Sequence, residues 1–225
     1  MDFLKIRTAE ILQEGLLSLG INPTDDRMQC FSAYLSELKK WNKACNLTGI
    51  RNDKDIVVKH FIDSLLYLVP MPQGIIRAAD IGSGAGFPGI PIKIIRPEIE
   101  MYLIEPSGKK AAFLRHITRQ LKIERVTIIE KRIEEITVHG ELATPVDVVL
   151  TRALFDIKKF IQKTAHIVKQ GGIFILNKGP KVQEELKKIG DLEYELLDIP
   201  LPQTDIMRSI VVVTLKRADI DRKII

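Results

Sequence analysis

Along the first seventy positions apolar residues recur at helical spacing. From position 76 they gather instead into short runs separated by amphipathic stretches. Leu12, Leu16 and Leu19 share one face of a helix predicted from about Lys5 to Leu19, with Gly20 as its C-cap. Pro23-Thr24-Asp25 opens a second helix whose stripe is Met28, Phe31, Leu35 and Leu38. The stretch from Trp41 to Ile50 interrupts the period, which resumes between Asp53 and Leu68 at Val57, Phe61, Leu65 and Leu68. Strands are then predicted at Ile76 to Ile81, Met101 to Ile104, Val126 to Ile129, Val146 to Leu150 and Ile173 to Leu176. Helices are expected near Lys109 to Leu121 and Asp156 to Val168. Such alternation predicts a parallel α/β sheet with helices on both faces. The chain ends differently, with a helix from Val182 to Ile189 and two runs, Tyr194 to Leu197 and Ile210 to Leu215, separated by a long loop. The opening helices match no strand–helix alternation. Residues 1–70 are therefore read as an N-terminal helical cap and 71–225 as the α/β domain.

Between the first strand and its helix lies Ala79-Asp80-Ile81-Gly82-Ser83-Gly84-Ala85-Gly86-Phe87-Pro88-Gly89. Glycine at alternate positions lets backbone approach a ligand closely, and Pro88 and Pro91 suit the first turns of a helix. The spacing does not fit the dinucleotide fingerprint, which would need glycine where Phe87 stands, and no Lys-Ser or Lys-Thr pair completes a P-loop. Gly-x-Gly-x-Gly behind an acid resembles motif I of S-adenosylmethionine-dependent methyltransferases. Glu105 falls at the end of the second strand, nineteen residues after Gly86. There an acid accepts ribose hydroxyls in a doubly wound sheet, or it caps the helix beginning near Ser107; the company of the glycine loop favours ribose.

Composition narrows the context. The chain has 225 residues, 45% of them hydrophobic, as in ordinary soluble proteins. No apolar run approaches membrane-spanning length, and Met1-Asp2-Phe3-Leu4-Lys5 lacks the layout of a secretory signal, so no membrane partner and a cytoplasmic location are expected. Cys30 and Cys45 make neither a disulfide framework nor a metal set, and read as small core residues. A net charge of +5, from 34 basic and 29 acidic residues, is compatible with RNA without requiring it.

Several stretches together resemble one family, the bacterial RsmG (GidB) enzymes that methylate guanine N7 in small-subunit ribosomal RNA. They are Trp41-Asn42-Lys43 with Asn46-Leu47-Thr48, His60 to Leu65, Asp80 to Pro91, Lys109-Lys110 with Phe113-Leu114, Thr151-Arg152-Ala153, and Lys178-Gly179. The resemblance implies a Rossmann-like class I methyltransferase sheet closed by an antiparallel strand pair, S-adenosylmethionine as cofactor, and a guanine in the 530 loop of 16S rRNA as substrate. Gly82, Gly84, Gly86 and Phe87 would hold the methionine half, Glu105 the ribose, and Ile133 with Glu134 the adenine; Arg152 would face the cofactor. Arg132-Ile133-Glu134 departs from the Arg-Ala-Glu of many relatives, and the end of the chain, Ala218 to Ile225, has no long basic tail like that of some.

The chemistry fits this resemblance. Guanine N7 offers a lone pair at neutral pH, so positioning matters more than acid–base groups. The Asn/Asp-Pro-Pro-Tyr/Phe motif of amino-group methylation is missing, and neither cysteine follows a proline as a C5-pyrimidine nucleophile usually does. Arg152, Lys178 and Arg208 stand at or beyond strand ends, where the crevice opens, and are the candidates for placing RNA or cofactor. His60 and Asp63 can share a helix face, either with Asp63 orienting the imidazole near the site or as packing alone. Trp41 is read as packing rather than base stacking. The basic residues between Lys109 and Lys122 read as a solvated face. Three other readings remain: a methyltransferase for another RNA, a protein or a small molecule; an S-adenosylmethionine-binding ribosome-assembly protein without turnover; and, more distantly, an NAD-dependent oxidoreductase.

Overall fold

The structure, a computed structural model, describes residues 6–74, 76–152 and 155–216. Ile75, Ala153 and the Ala218 to Ile225 segment of the sequence reading lie outside these residues. Helices α1 (Ile6–Ser18) and α2 (Asp25–Cys45) come first. The Thr24 side chain caps α2 by accepting from the Arg27 N–H, and Asn46, in left-handed conformation, ends it. The helix predicted between Asp53 and Leu68 is interrupted inside. It begins as α3 (Asp53–Ile56), widens into a π-helical turn (Val57–Ile62), returns as α4 (Asp63–Leu65) and tightens into a 3₁₀ turn (Leu66–Leu68).

The alternating part follows as β1 (Arg77–Ile81), α5 (Gly89–Ile95), β2 (Glu100–Ile104), α6 (Gly108–Gln120), β3 (Val126–Ile129), β4 (Val146–Arg152), α7 (Ile157–Thr164), β5 (Val168–Lys178), α8 (Val182–Leu186), β6 (Tyr194–Pro200) and β7 (Met207–Thr214). The seven strands lie in the order β3-β2-β1-β4-β5-β7-β6. β1 to β5 run parallel, while β7 is antiparallel to both β5 and β6. The closing antiparallel pair expected from the resemblance is present.

Alternate side chains of each strand enter two different cores. Ala78, Leu103, Val148 and Ile175 meet the residues of α1, α2, α5, α6 and the π turn. Ala79, Ile104, Val149, Phe174 and Val211 meet α7, α8 and the 3₁₀ turn Ile133–Glu135. Each core mixes Leu, Ile, Val and aromatic rings, and each cap is one layer of helices over one face. Strand order reverses at β1, between β2 and β4, so a crevice opens at the carboxyl ends of these strands. Because β7 runs the other way, its start joins that same edge, with Ser209 paired to Lys178 at the end of β5.

Candidate active site

The glycine loop leaves β1 at this edge. Gly82, Gly84 and Gly86 all take positive φ, at 72°, 58° and 99°. At Gly86 an added Cβ would fall 2.8 Å from the Tyr34 hydroxyl and 2.5 Å from Ile90 Cδ1, so the loop lies flush on the helices beneath it. At Gly84 the nearest atom is the Gly82 carbonyl at 3.9 Å; this side faces open space. The loop is tied down at its middle from two sides: the Tyr34 hydroxyl donates to the Ala85 carbonyl (2.5 Å), and the Gly84 N–H donates to Glu105 Oε2 (2.9 Å). Glu105 Oε1 accepts from the Ser107 N–H (2.9 Å). The buried carboxylate therefore joins the loop to the start of α6, and each oxygen keeps a lone pair for a further donor.

Beneath the loop Asp80 is fully buried. Its Oδ2 accepts from the Gly89 N–H (3.0 Å), while Oδ1 has no partner among the described residues. Burial pushes its carboxyl up to about 7, against the pull of the Gly89 N–H and Arg152. The Phe87 ring turns inward and stacks on His60, with centroids 4.5 Å apart, and on Tyr34 at 5.4 Å.

A second cleft, of about 330 Å³, adjoins on the β4–β5–β7 side and is lined by His60, Asp63, Arg152, Asn177, Lys178 and Arg208 among others. Arg152, ending β4, donates through Nη1 to His60 Nδ1 (3.1 Å) and the Lys59 carbonyl (3.2 Å). Its guanidinium stands 5.4 Å from the centre of the Phe87 ring. Since Nδ1 accepts, the imidazole proton sits on Nε2 and faces Thr48 Oγ1 at 2.7 Å. Burial, and then the Arg152 charge, lower the His60 pKa to about 3, so the ring is neutral at physiological pH. Arg208 Nε donates to Asp63 Oδ1 (2.7 Å), Asn177 Nδ2 donates to the same oxygen (3.3 Å), and Arg152 Nη1 lies 3.8 Å from Oδ2. Lys178 donates to the Phe155 carbonyl (2.7 Å) and pairs with Glu185 (2.8 Å).

Comparison with known proteins resolves which family carries this arrangement. The family described as rRNA small subunit methyltransferase G matches residues 27–197. Ribosomal RNA small subunit methyltransferase G of Acetivibrio thermocellus is 32% identical over 219 residues, covering 95% of this chain and 90% of that protein. Its counterpart in Pelotomaculum thermopropionicum is 36% identical over 214 residues, covering 91% and 89%. The chain belongs to the rRNA small subunit methyltransferase G family. Among solved structures, M. jannaschii TYW2 in complex with AdoMet superposes with a TM-score of 0.53 at 18% identity, over 70% of this chain and 76% of that one. An rRNA methylase from Streptococcus thermophilus does so with a TM-score of 0.50 at 13% identity, over 69% and 95%. At such identities the likeness is one of fold, the Rossmann-like class I methyltransferase sheet.

In this member of the methyltransferase G family the residues singled out from sequence gather along one edge of the sheet. Gly82 to Phe87 follow β1, Glu105 follows β2, Ile133 and Glu134 follow β3, Arg152 ends β4, Lys178 ends β5 and Arg208 begins β7. The Ile133 side chain is buried in the second core, whereas Glu134 is exposed and ion-paired with Lys163. One sequence reading needs correction: Asp63 does not orient the imidazole of His60. The π-helical turn is wider than an α turn, so residues three apart no longer stack, and Asp63 reaches Arg208 and Asn177 while Thr48 and Arg152 hold His60. Trp41 packs against Phe113 and His116, as expected. Sequence reasoning passed over Thr48, Tyr34, Tyr67 and Asn177. Thr48 lay within a matched motif, but the tyrosines are visible only as helical core positions until the fold brings their hydroxyls to Ala85 and Thr151.

Proposed function

We propose that this protein transfers the methyl group of S-adenosylmethionine to N7 of a guanine in the 530 loop of 16S rRNA. The observation that carries the proposal is the loop of three positive-φ glycines pinned by a buried carboxylate, with an arginine-lined cleft beside it. Its geometry suits the cofactor: the open side of Gly84 leaves room for the methionine half along Gly82, Gly84, Gly86 and the Phe87 backbone. Glu105 retains acceptor capacity for the ribose hydroxyls. Adenine would rest on the backbone of Ile133 and beside Glu134, since the Ile133 side chain is committed to the core. Bound there, S-adenosylmethionine supplies an electrophilic sulfonium methyl.

The chain's own part is positional. Guanine N7 attacks through its lone pair, and no proton has to leave the ring first, so a neutral His60 that hydrogen-bonds Arg152 is a scaffold and not a base. Arg152 and Arg208 together face one carboxylate, Asp63, leaving net positive charge at the cleft for a phosphate or for the guanine O6 edge. Lys178, held by Glu185 and the Phe155 carbonyl, borders the same cleft.

The test is transfer of labelled methyl from S-adenosylmethionine to 16S rRNA and to small subunits lacking the modification, followed by strand cleavage specific for N7-methylguanine. One cleavage in the 530 loop is expected. Label in neither substrate, with cofactor binding intact, would overturn the rRNA assignment and leave another RNA, a protein or an assembly role.

A further inference from the structure

The mechanism leaves unused a basic groove on the N-terminal helices. A cleft of about 390 Å³ runs between the last turn of α2 and the loop that follows it, and Lys39, Lys43, Asn42, Asn46 and Arg51 line it. It continues past Lys39 and Arg51 into a neighbouring cleft that adds Arg7 and Lys54. All five cations are exposed. Asp53, paired with Lys39 at 2.6 Å, is the one acid lining either cleft, and Arg7, Lys43, Arg51 and Lys54 have no acidic partner among the described residues. The carbonyl end of α2 accounts for Lys43 by itself. It does not account for Arg7, Arg51 and Lys54, which come from other elements.

The groove leads to the active site. Ile50 lines both the groove and the cleft of Arg152 and Arg208. The wall between them is the loop from Asn46 to Ile50, which is held rigidly: the Asn42 side chain donates to the Thr48 carbonyl (3.0 Å) and accepts from the Thr48 N–H (2.9 Å). The Thr48 hydroxyl then meets His60 Nε2 at 2.7 Å. A strand whose base enters the cleft has a run of exposed cations to follow on leaving it, four of the five without an acidic partner among the described residues. We propose that this groove binds the RNA backbone flanking the target guanine, with Lys43 and Arg51 contacting phosphates. The proposal rests on the RNA-methylation reading above.

Binding of a 16S rRNA fragment containing the 530 stem-loop and its flanking strands would be measured as a function of salt, for the parent protein, for Lys43→Ala/Arg51→Ala, and for Lys187→Ala/Lys188→Ala. The last variant removes the same charge beyond α8, on the opposite face of the sheet. Removing one phosphate-binding cation lowers the slope of log K against log salt by about 0.7 to 0.9. The groove variant should therefore lose about 1.5 from the slope and roughly tenfold in affinity, with a raised KM for RNA. The α8 variant should match the parent, and S-adenosylmethionine affinity by calorimetry should be equal in all three. An unchanged slope in the groove variant, or an equal drop in both variants, overturns the proposal. If the parent binds neither the fragment nor small subunits lacking the modification, the underlying reading falls instead; if it binds the subunits alone, the same three proteins are compared on them.

Discussion

Glu105 satisfies two backbone N–H groups from different elements, Gly84 in the loop and Ser107 before α6, so its replacement acts twice. Glu105→Ala is expected to weaken S-adenosylmethionine binding by about tenfold or more, because charge-assisted hydrogen bonds are removed; calorimetry with the fold intact checks it, and an unchanged affinity removes Glu105 from the site. Asp80 and His60 make opposite contributions to pH dependence. Asp80, raised from 3.8 to about 7, lends stability that is present below pH 4 and lost as pH rises through 7. His60, lowered from 6.5 to about 3, lends stability that is present above pH 6.5 and lost as pH falls toward 3. Carboxyl and imidazole NMR titrations separate the two: Asp80 should titrate near 7 in the free protein, and His60 should show no midpoint between pH 5 and 8. Asp63→Ala leaves the half-buried Arg208 and the buried Asn177 without this acceptor and is expected to cost about 1–3 kcal/mol in urea denaturation.

At the scale of elements the decisive feature is the π-helical turn Val57–Ile62. It places His60 beneath the glycine loop and sends Asp63 toward β5 and β7 within a few residues of chain. The apolar period between Asp53 and Leu68 was legible because Val57, Phe61 and Leu65 all face the core in either geometry. The widened turn was not, because one wider turn barely shifts an apolar stripe yet changes which polar side chains meet. Helix α1 lies close against this turn through Gly15, where an added Cβ would come within 2.9 Å of Ile62 Cγ1, itself fully buried. Gly15→Val should destabilise by about 1–3 kcal/mol through overpacking, seen as a lower urea midpoint at unchanged m. An unaltered midpoint would mean that α1 moves freely on the turn.

In the whole molecule α1, α2 and the π turn share one core with α5, α6 and one face of the sheet. We propose the division at residue 70 as a boundary between cap and methyltransferase sheet. Cut there, 71–225 would strip Phe87 and Phe113 of Tyr34, His60 and Trp41 as ring neighbours. The fragment alone should unfold without cooperativity and bind a hydrophobic dye; a sharp two-state transition would show that the sheet stands without its cap. The sequence by itself determined the succession of strands and helices, the glycine loop, the acid at the second strand end and the basic residues at the later ends. These follow from local spacing and from residue chemistry, which hold wherever the segment lies. Only tertiary structure decided that β7 runs antiparallel, so that Arg208 reaches Asp63, and that Thr48 and Arg152 hold His60. Strand direction and the meeting of side chains many residues apart depend on how the layers close over one another, and no local pattern encodes that.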